Sequence, residues 1–199
     1  MEKCSIILDI IIGQAPTIEN KKKEWKRKTP MCIAAANRII DRTNAQNFWR
    51  FQNGEDRVSL TGKRLQKLLY LCQLLWYADH DESYMITEDF QAWPNGPVIP
   101  QIYDHFKVYQ EGDMRPILIS GHHTLTDEEA DLIDKVVDNT INIPTEAIID
   151  YTHSPGSPWA QFYDNTQREY NTIPKDSIRS YIRDQNNCDQ LFDFIQRYS

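Results

Sequence analysis

Histidines, cysteines and clustered carboxylates are the side chains from which a metal centre or nucleophilic site would be built. This 199-residue chain holds five of the first and four of the second. The histidines are His80, His105, His122, His123 and His153. Asp79-His80-Asp81-Glu82 and His122-His123 are dense enough to suggest a metal cluster. Neither has the spacing that sets ligands on one helix face, as HExxH sets its two histidines. The first therefore reads as a solvated turn and the second as a loop. His153 follows Thr152 and lies near Trp159, and it reads as a hydrogen-bonded structural histidine. Cys4, Cys32, Cys72 and Cys188 form no CxxC pair, and their wide spacing suggests neither zinc nor a disulfide framework. Reduced thiols in a cytoplasm fit them. No Ser or Cys stands in a nucleophile elbow, and no glycine-rich loop cradles phosphate. No catalytic residue, metal site or cofactor is expected.

Two other segments suit recognition better than catalysis. Lys63, Arg64 and Lys67 put a basic edge on a helix within an acidic body. The ordinary reading is a solvated face; the functional one is an interface, where Arg and aromatic side chains dominate binding energy. In Trp93-Pro94-Asn95-Gly96-Pro97, Gly96 suits a backbone angle that other residues resist, Pro97 stiffens the turn and Trp93 anchors it. A loop stiffened in this way is also a good docking surface, because little entropy is lost on binding.

The elements that must position these residues are helical. With 40% hydrophobic and 26% charged residues and 22 aromatic side chains, the chain is globular and neither disordered nor low-complexity. Its length favours one domain whose core needs no disulfide or metal. Residues 1–30 carry a net charge of +3 and residues 31–199 a net of −10. So acidic a body repels a phosphate backbone, which leaves the basic run 21–28 as the only stretch suited to nucleic acid. Asp9 interrupts the apolar N-terminal stretch, no A-x-A-like cleavage site follows cleanly, and no span of about 20 apolar residues occurs. A cytoplasmic protein with no membrane partner is expected.

Apolar spacing predicts an amphipathic helix from Met31 to about Thr43, then a hairpin or loop around Asn53-Gly54. The strongest helix begins near Thr61. Leu65, Leu68, Leu69, Cys72, Leu75 and Trp76 form its face, and Leu71 and Leu74 widen that face enough for a central core helix. A short extended segment precedes Pro94-Asn95-Gly96-Pro97, and a helix opens at Pro100. Thr126-x-x-Glu129 is a capping box. Shorter helices start at Thr145 and Ser157-Pro158, and two more run over Pro174–Ile182 and Cys188–Tyr198. The expectation is a mainly α, compact domain of about seven helices around a buried central helix, with a small extended or β element near 84–100.

The run LTGKRLQKLLYLCQ at residues 60–73, followed by FQAWPNGPVIPQIY at 90–103, resembles the Panacea or SocA-like antitoxin domain of bacteria and their phages. That family shows a KLQKLLYYAQ-like helix, a FEAWxxGPVxPxVY-like segment, a Leu-Thr-x-Glu-Glu helix start, and a Thr-His followed by Pro-Trp. Here the matching residues are Leu65 to Tyr70, then Ala92, Trp93, Gly96, Pro97, Val98 and Tyr103. Leu125-Thr126 with Glu128-Glu129, Thr152-His153, Pro158-Trp159 and Ile173-Pro174 follow in order. On this resemblance residues 31–183 form the domain. Residues 1–30 are an N-terminal extension with a basic linker, and 184–199 are a C-terminal helical extension; the segment 44–60 is longer than in relatives. The resemblance implies binding rather than chemistry: an antitoxin that neutralises a cognate toxin protein by direct contact. The alternatives are a protease adaptor that delivers a toxin to a bacterial protease, or a phage-associated protein that binds a host target. The partner-binding or motif residues it suggests are Lys63, Arg64, Lys67, Tyr70, Trp93, Gly96, Pro97, Tyr103, His153 and Trp159.

Overall fold

The computed structural model describes residues 30–80, 83–109, 114–117, 125–167 and 169–198. The expected N-terminal extension up to residue 29, Asp81, Glu82 and His122-His123 lie outside the described residues. Among the described residues the order is α1 (Met31–Gln52), α2 (Gly62–Asp79), β1 (Phe90–Trp93), β2 (Gly96–Val98), α3 (Pro100–Phe106), α4 (Asp127–Thr140), α5 (Thr145–Thr152), α6 (Pro158–Phe162), β3 (Thr172–Ile173), α7 (Lys175–Arg183) and α8 (Gln185–Gln196). The architecture is mainly helical, with a small antiparallel sheet in the order β2-β1-β3. None of these helices is long and apolar enough to cross a membrane.

Helix α2 is the centre. Thr61 caps it by accepting from the Arg64 N–H at 3.1 Å, and every residue from Arg64 to Tyr77 is buried. The helix is therefore enclosed on all sides, as its wide apolar face implies. Fully burying one of its leucines contributes roughly 1.5–3 kcal/mol, and truncating Leu68 to Ala would cost about 2–5 kcal/mol. Helices α1, α3, α4, α5 and α7 all pack on it.

Helix α1 runs nine residues past Thr43, through the segment that read as a hairpin or loop. The reason is a ladder of polar contacts at helical spacing. Arg38 pairs bidentately with Asp134, Arg42 with Asp138, Gln46 donates to Asp138 at 2.6 Å, and Arg50 donates to Asn142 at 3.1 Å. Donors four residues apart on α1 thus meet acceptors four apart along α4 and its exit. Pro30 offers no side-chain cap, so Glu88 caps α1 from a distance: its carboxylate accepts from the Met31 and Cys32 N–H groups, each at 3.0 Å. The turn at Gly54 (φ 75°) ends α1.

The capping box of α4 forms in full. Glu129 N–H donates to Thr126 Oγ1 at 3.2 Å, and Thr126 N–H donates to Glu129 Oε2 at 2.9 Å. Strand β1 pairs with β2 in the register Trp93↔Gly96, so Pro94-Asn95 form a two-residue turn; β3 adds Ile173 opposite Phe90. Helix α8 buries Leu191, Phe192 and Ile195 in the same core as α2. Cys32 and Cys72 are free and buried, whereas Cys188 is disulfide-bonded, which departs from the expectation of four reduced thiols.

Candidate functional site

Burial places the sequence-suggested residues in two groups. Instead of a solvated basic edge on α2, only Lys63 is exposed; Arg64 and Lys67 are 3% and 1% exposed. Helix periodicity makes a polar residue among apolar ones look like a solvent edge, but here other elements cover that edge too. The Arg64 guanidinium closes the C-terminal end of α4, donating to Thr140 O and Ile143 O at 2.7 Å and to Ile141 O at 3.3 Å. A cation there complements both the orphan carbonyls and the helix dipole. Tyr70 is also internal, with its ring edge-on to Phe90, and burial pushes its phenol well above the usual range.

Lys67 reaches from α2 to the hairpin, where its ammonium donates to Pro97 O at 2.7 Å. Among the described residues it makes no ion pair, and burial holds its pKa down at about 7. Gly96 makes this approach possible. It has φ +97°, and a Cβ there would lie 2.7 Å from Thr152 Oγ1 and 2.8 Å from Lys67 Nζ. A side chain at residue 96 is therefore excluded both by backbone angle and by space.

Trp93, the other end of the same pair, is fixed from behind. The Trp159 indole N–H donates to Trp93 O at 2.8 Å. Trp159 sits at the start of α6, where Ser157 Oγ accepts from the Ala160 N–H and donates to Thr152 O. His153 stacks on Trp159 with 3.6 Å between ring centres. Among the described residues its Nε2 has no hydrogen-bond partner, and the stacked indole holds the ring. Burial, and then the Lys67 charge, lower its pKa. Thr152, Trp159, Lys67 and Pro97, all buried, thus form a buttress beneath the hairpin with the half-buried His153 stacked on it.

Above the buttress lies a groove of ≈ 620 Å³ between the N-terminal turns of α2 and α5, the hairpin and α3. Trp93 forms one wall, flanked by Tyr103 and Tyr170 at 4.9 and 4.7 Å between ring centres. Lys63, Lys67, Lys107 and Glu146 are its charged lining residues. Of the ten sequence-suggested residues, Lys63, Lys67, Trp93 and Tyr103 therefore meet at one groove, while Gly96, Pro97, His153 and Trp159 support it. Tyr170 and Lys107 join them without a sequence signal, because only the fold brings 170 beside 93.

A second surface escaped the sequence reading. Phe48, Trp49 and Phe51 on the last turns of α1 are 67%, 56% and 59% exposed, and the Arg57 guanidinium lies 4.9 Å from the Phe51 ring centre. The available signal was that these aromatic residues fall within the segment 44–60, off the apolar face that ends at Thr43. Asp79, His80 and Glu128 also come within 4.8 Å of one another where α2 ends near α4. His80 stacks on Trp76 and meets the Glu128 carboxylate at 3.1 Å. Sequence spacing could not join them, because Glu128 comes from another helix.

No curated protein and no solved structure matches the chain. Residues 65–160 match the family model described as antitoxin SocA-like, Panacea domain. The matched stretch runs from α2 into α6, taking in the hairpin, the buttress and most of the groove, while the exposed aromatic end of α1 lies outside it. That match falls on the same residues, from the α2 helix through Pro158-Trp159, that carry the resemblance in the sequence.

Proposed function

We propose that this protein is an antitoxin that neutralises a cognate toxin protein by direct contact, with the aromatic end of α1 as the principal docking surface. The observation that carries this reading is the uncovered cluster of Phe48, Trp49 and Phe51 on a helix held rigid by its ladder to α4. Aromatic and Arg side chains dominate interface hot spots, and a rigid support limits the entropy lost on docking. Three large exposed aromatic side chains within four residues are more than the isolated apolar residues of an ordinary surface. A patch outside the family-matched stretch also suits a common scaffold that varies its partner. The net charge of −10 on residues 31–199 speeds association with a basic toxin surface. The working compartment in this reading is the cytoplasm.

The test is co-expression with the product of the adjacent reading frame, scoring growth and then co-purification. Rescue with a stable complex that Phe48→Ala/Trp49→Ala abolishes supports the reading. Rescue in which the toxin disappears, and only while a host protease is present, replaces neutralisation by contact with protease delivery.

A further inference from the structure

We propose that the groove bounded by Trp93, Tyr103 and Tyr170 binds a nucleoside phosphate, with Lys67 and Lys63 taking the phosphate and the aromatic rim taking the base. This stands apart from the antitoxin reading, which uses a different surface.

The first reason is a local reversal of charge. The chain has 29 acidic and 22 basic residues, yet the groove lining holds three lysines and one glutamate; Lys107 is paired with Asp104 at 2.7 Å, which leaves Lys63 and Lys67 as the cations offered to a ligand. The second is Lys67 itself. A lysine ammonium has three protons to donate, and among the described residues Nζ makes one hydrogen bond, to Pro97 O. Burying a cation with no counter-charge is unfavourable, and a bound anion would reverse that. Burial depresses the basicity of Lys67, and among the described residues no ion pair to its ammonium offsets that.

The backbone adds donors. Thr61, Gly62 and Lys63 at the start of α2, and Thr145 and Glu146 at the start of α5, all line the groove. Thr61 Oγ1 accepts from the Arg64 N–H, leaving the earlier amides of α2 available, and α5 has no side-chain cap at all. Helix N-termini and lysines used as point charges suit the several oxygens of phosphate better than the planar pair of a carboxylate. Tyr103 and Tyr170 are exposed beside Trp93, so each can offer a ring face to a base. A groove of ≈ 620 Å³ is of the size that holds small organic ligands. Glu146 is the opposing feature, and it makes a specific prediction: its carboxylate weakens binding, so Glu146→Gln tightens it.

The experiment is isothermal titration of the full chain with ATP, GTP, tripolyphosphate and adenosine as probes. Saturable binding of a nucleotide, weaker for tripolyphosphate and weaker again for adenosine, is the expected result. Lys67→Met should weaken it by about tenfold to a hundredfold, the size of one charge-assisted hydrogen bond. Lys63→Ala is exposed, keeps the fold and should weaken it by a smaller factor, while Glu146→Gln should tighten it. Absence of saturable binding by every nucleotide and by tripolyphosphate overturns the proposal. So does nucleotide binding that neither lysine substitution weakens. Binding of an acidic peptide with no binding of nucleotide overturns it too, and assigns the groove to a protein partner.

Discussion

Lys67→Met removes the buried ammonium while keeping an unbranched stem of similar length, and its effect on stability should depend on pH in a defined direction. Burial holds the folded-state pKa at about 7, against an ordinary value of 10.5. Between these values the unfolded chain binds a proton that the folded chain does not, so the Lys67 contribution to stability rises with pH across that window. Below pH 7 both states are protonated and the whole cost of desolvating the charge is present. Each pH unit inside the window is worth about 1.4 kcal/mol, so from pH 7 to 9 the wild type should gain about 2–3 kcal/mol relative to the variant. Losing the hydrogen bond to Pro97 O offsets the variant's curve by about 1 kcal/mol without changing its slope. Urea denaturation of both proteins at pH 6, 7, 8 and 9 measures the difference directly. His153 supplies a second readout: the Lys67 charge helps to lower its pKa, so its NMR titration should move upward in the variant. Parallel stability curves for the two proteins would refute the reasoning, because they would mean the ammonium is solvated.

Three further substitutions test the frame. Gly96→Ala meets both a positive φ and contacts of 2.7–2.9 Å with Thr152 and Lys67, so a loss of about 2–5 kcal/mol is expected in chemical denaturation. Arg64→Ala leaves the carbonyls at the end of α4 without their cation and should cost about 3 kcal/mol or more, read as a lowered Tm. Glu88→Ala removes the acceptor for the first two amides of α1 and should cost about 1–2 kcal/mol, with faster hydrogen exchange confined to the start of that helix.

Local signals carried most of the helices. Thr61, Thr126 with Glu129, and Ser157-Pro158 each mark a helix start by chemistry that acts over three or four residues, and the structure realises all three. The central position of α2 was legible from the width of its apolar face. What one segment cannot show is what another does to it. Arg64 and Lys67 look solvated until α4 and the hairpin cover them. The extension of α1 through Phe48 depends on Asp138 and Asn142, more than ninety residues away. Strand β3 is two residues long and exists only by pairing with Phe90 and Gln91. The groove is the extreme case: Trp93 and Lys63 were each singled out, but nothing local places Tyr170, Lys107 and the α5 N-terminus beside them.

The most direct test of the proposed antitoxin role is co-purification of the co-expressed product of the adjacent reading frame by the wild-type chain and by Phe48→Ala/Trp49→Ala, with circular dichroism confirming that both are folded. Both side chains are mostly exposed, so the substitution should change stability by no more than about 0.5 kcal/mol. The account predicts a stable complex and restored growth with the wild type, and loss of both with the folded variant. Full protection and an undiminished complex with the variant would contradict it.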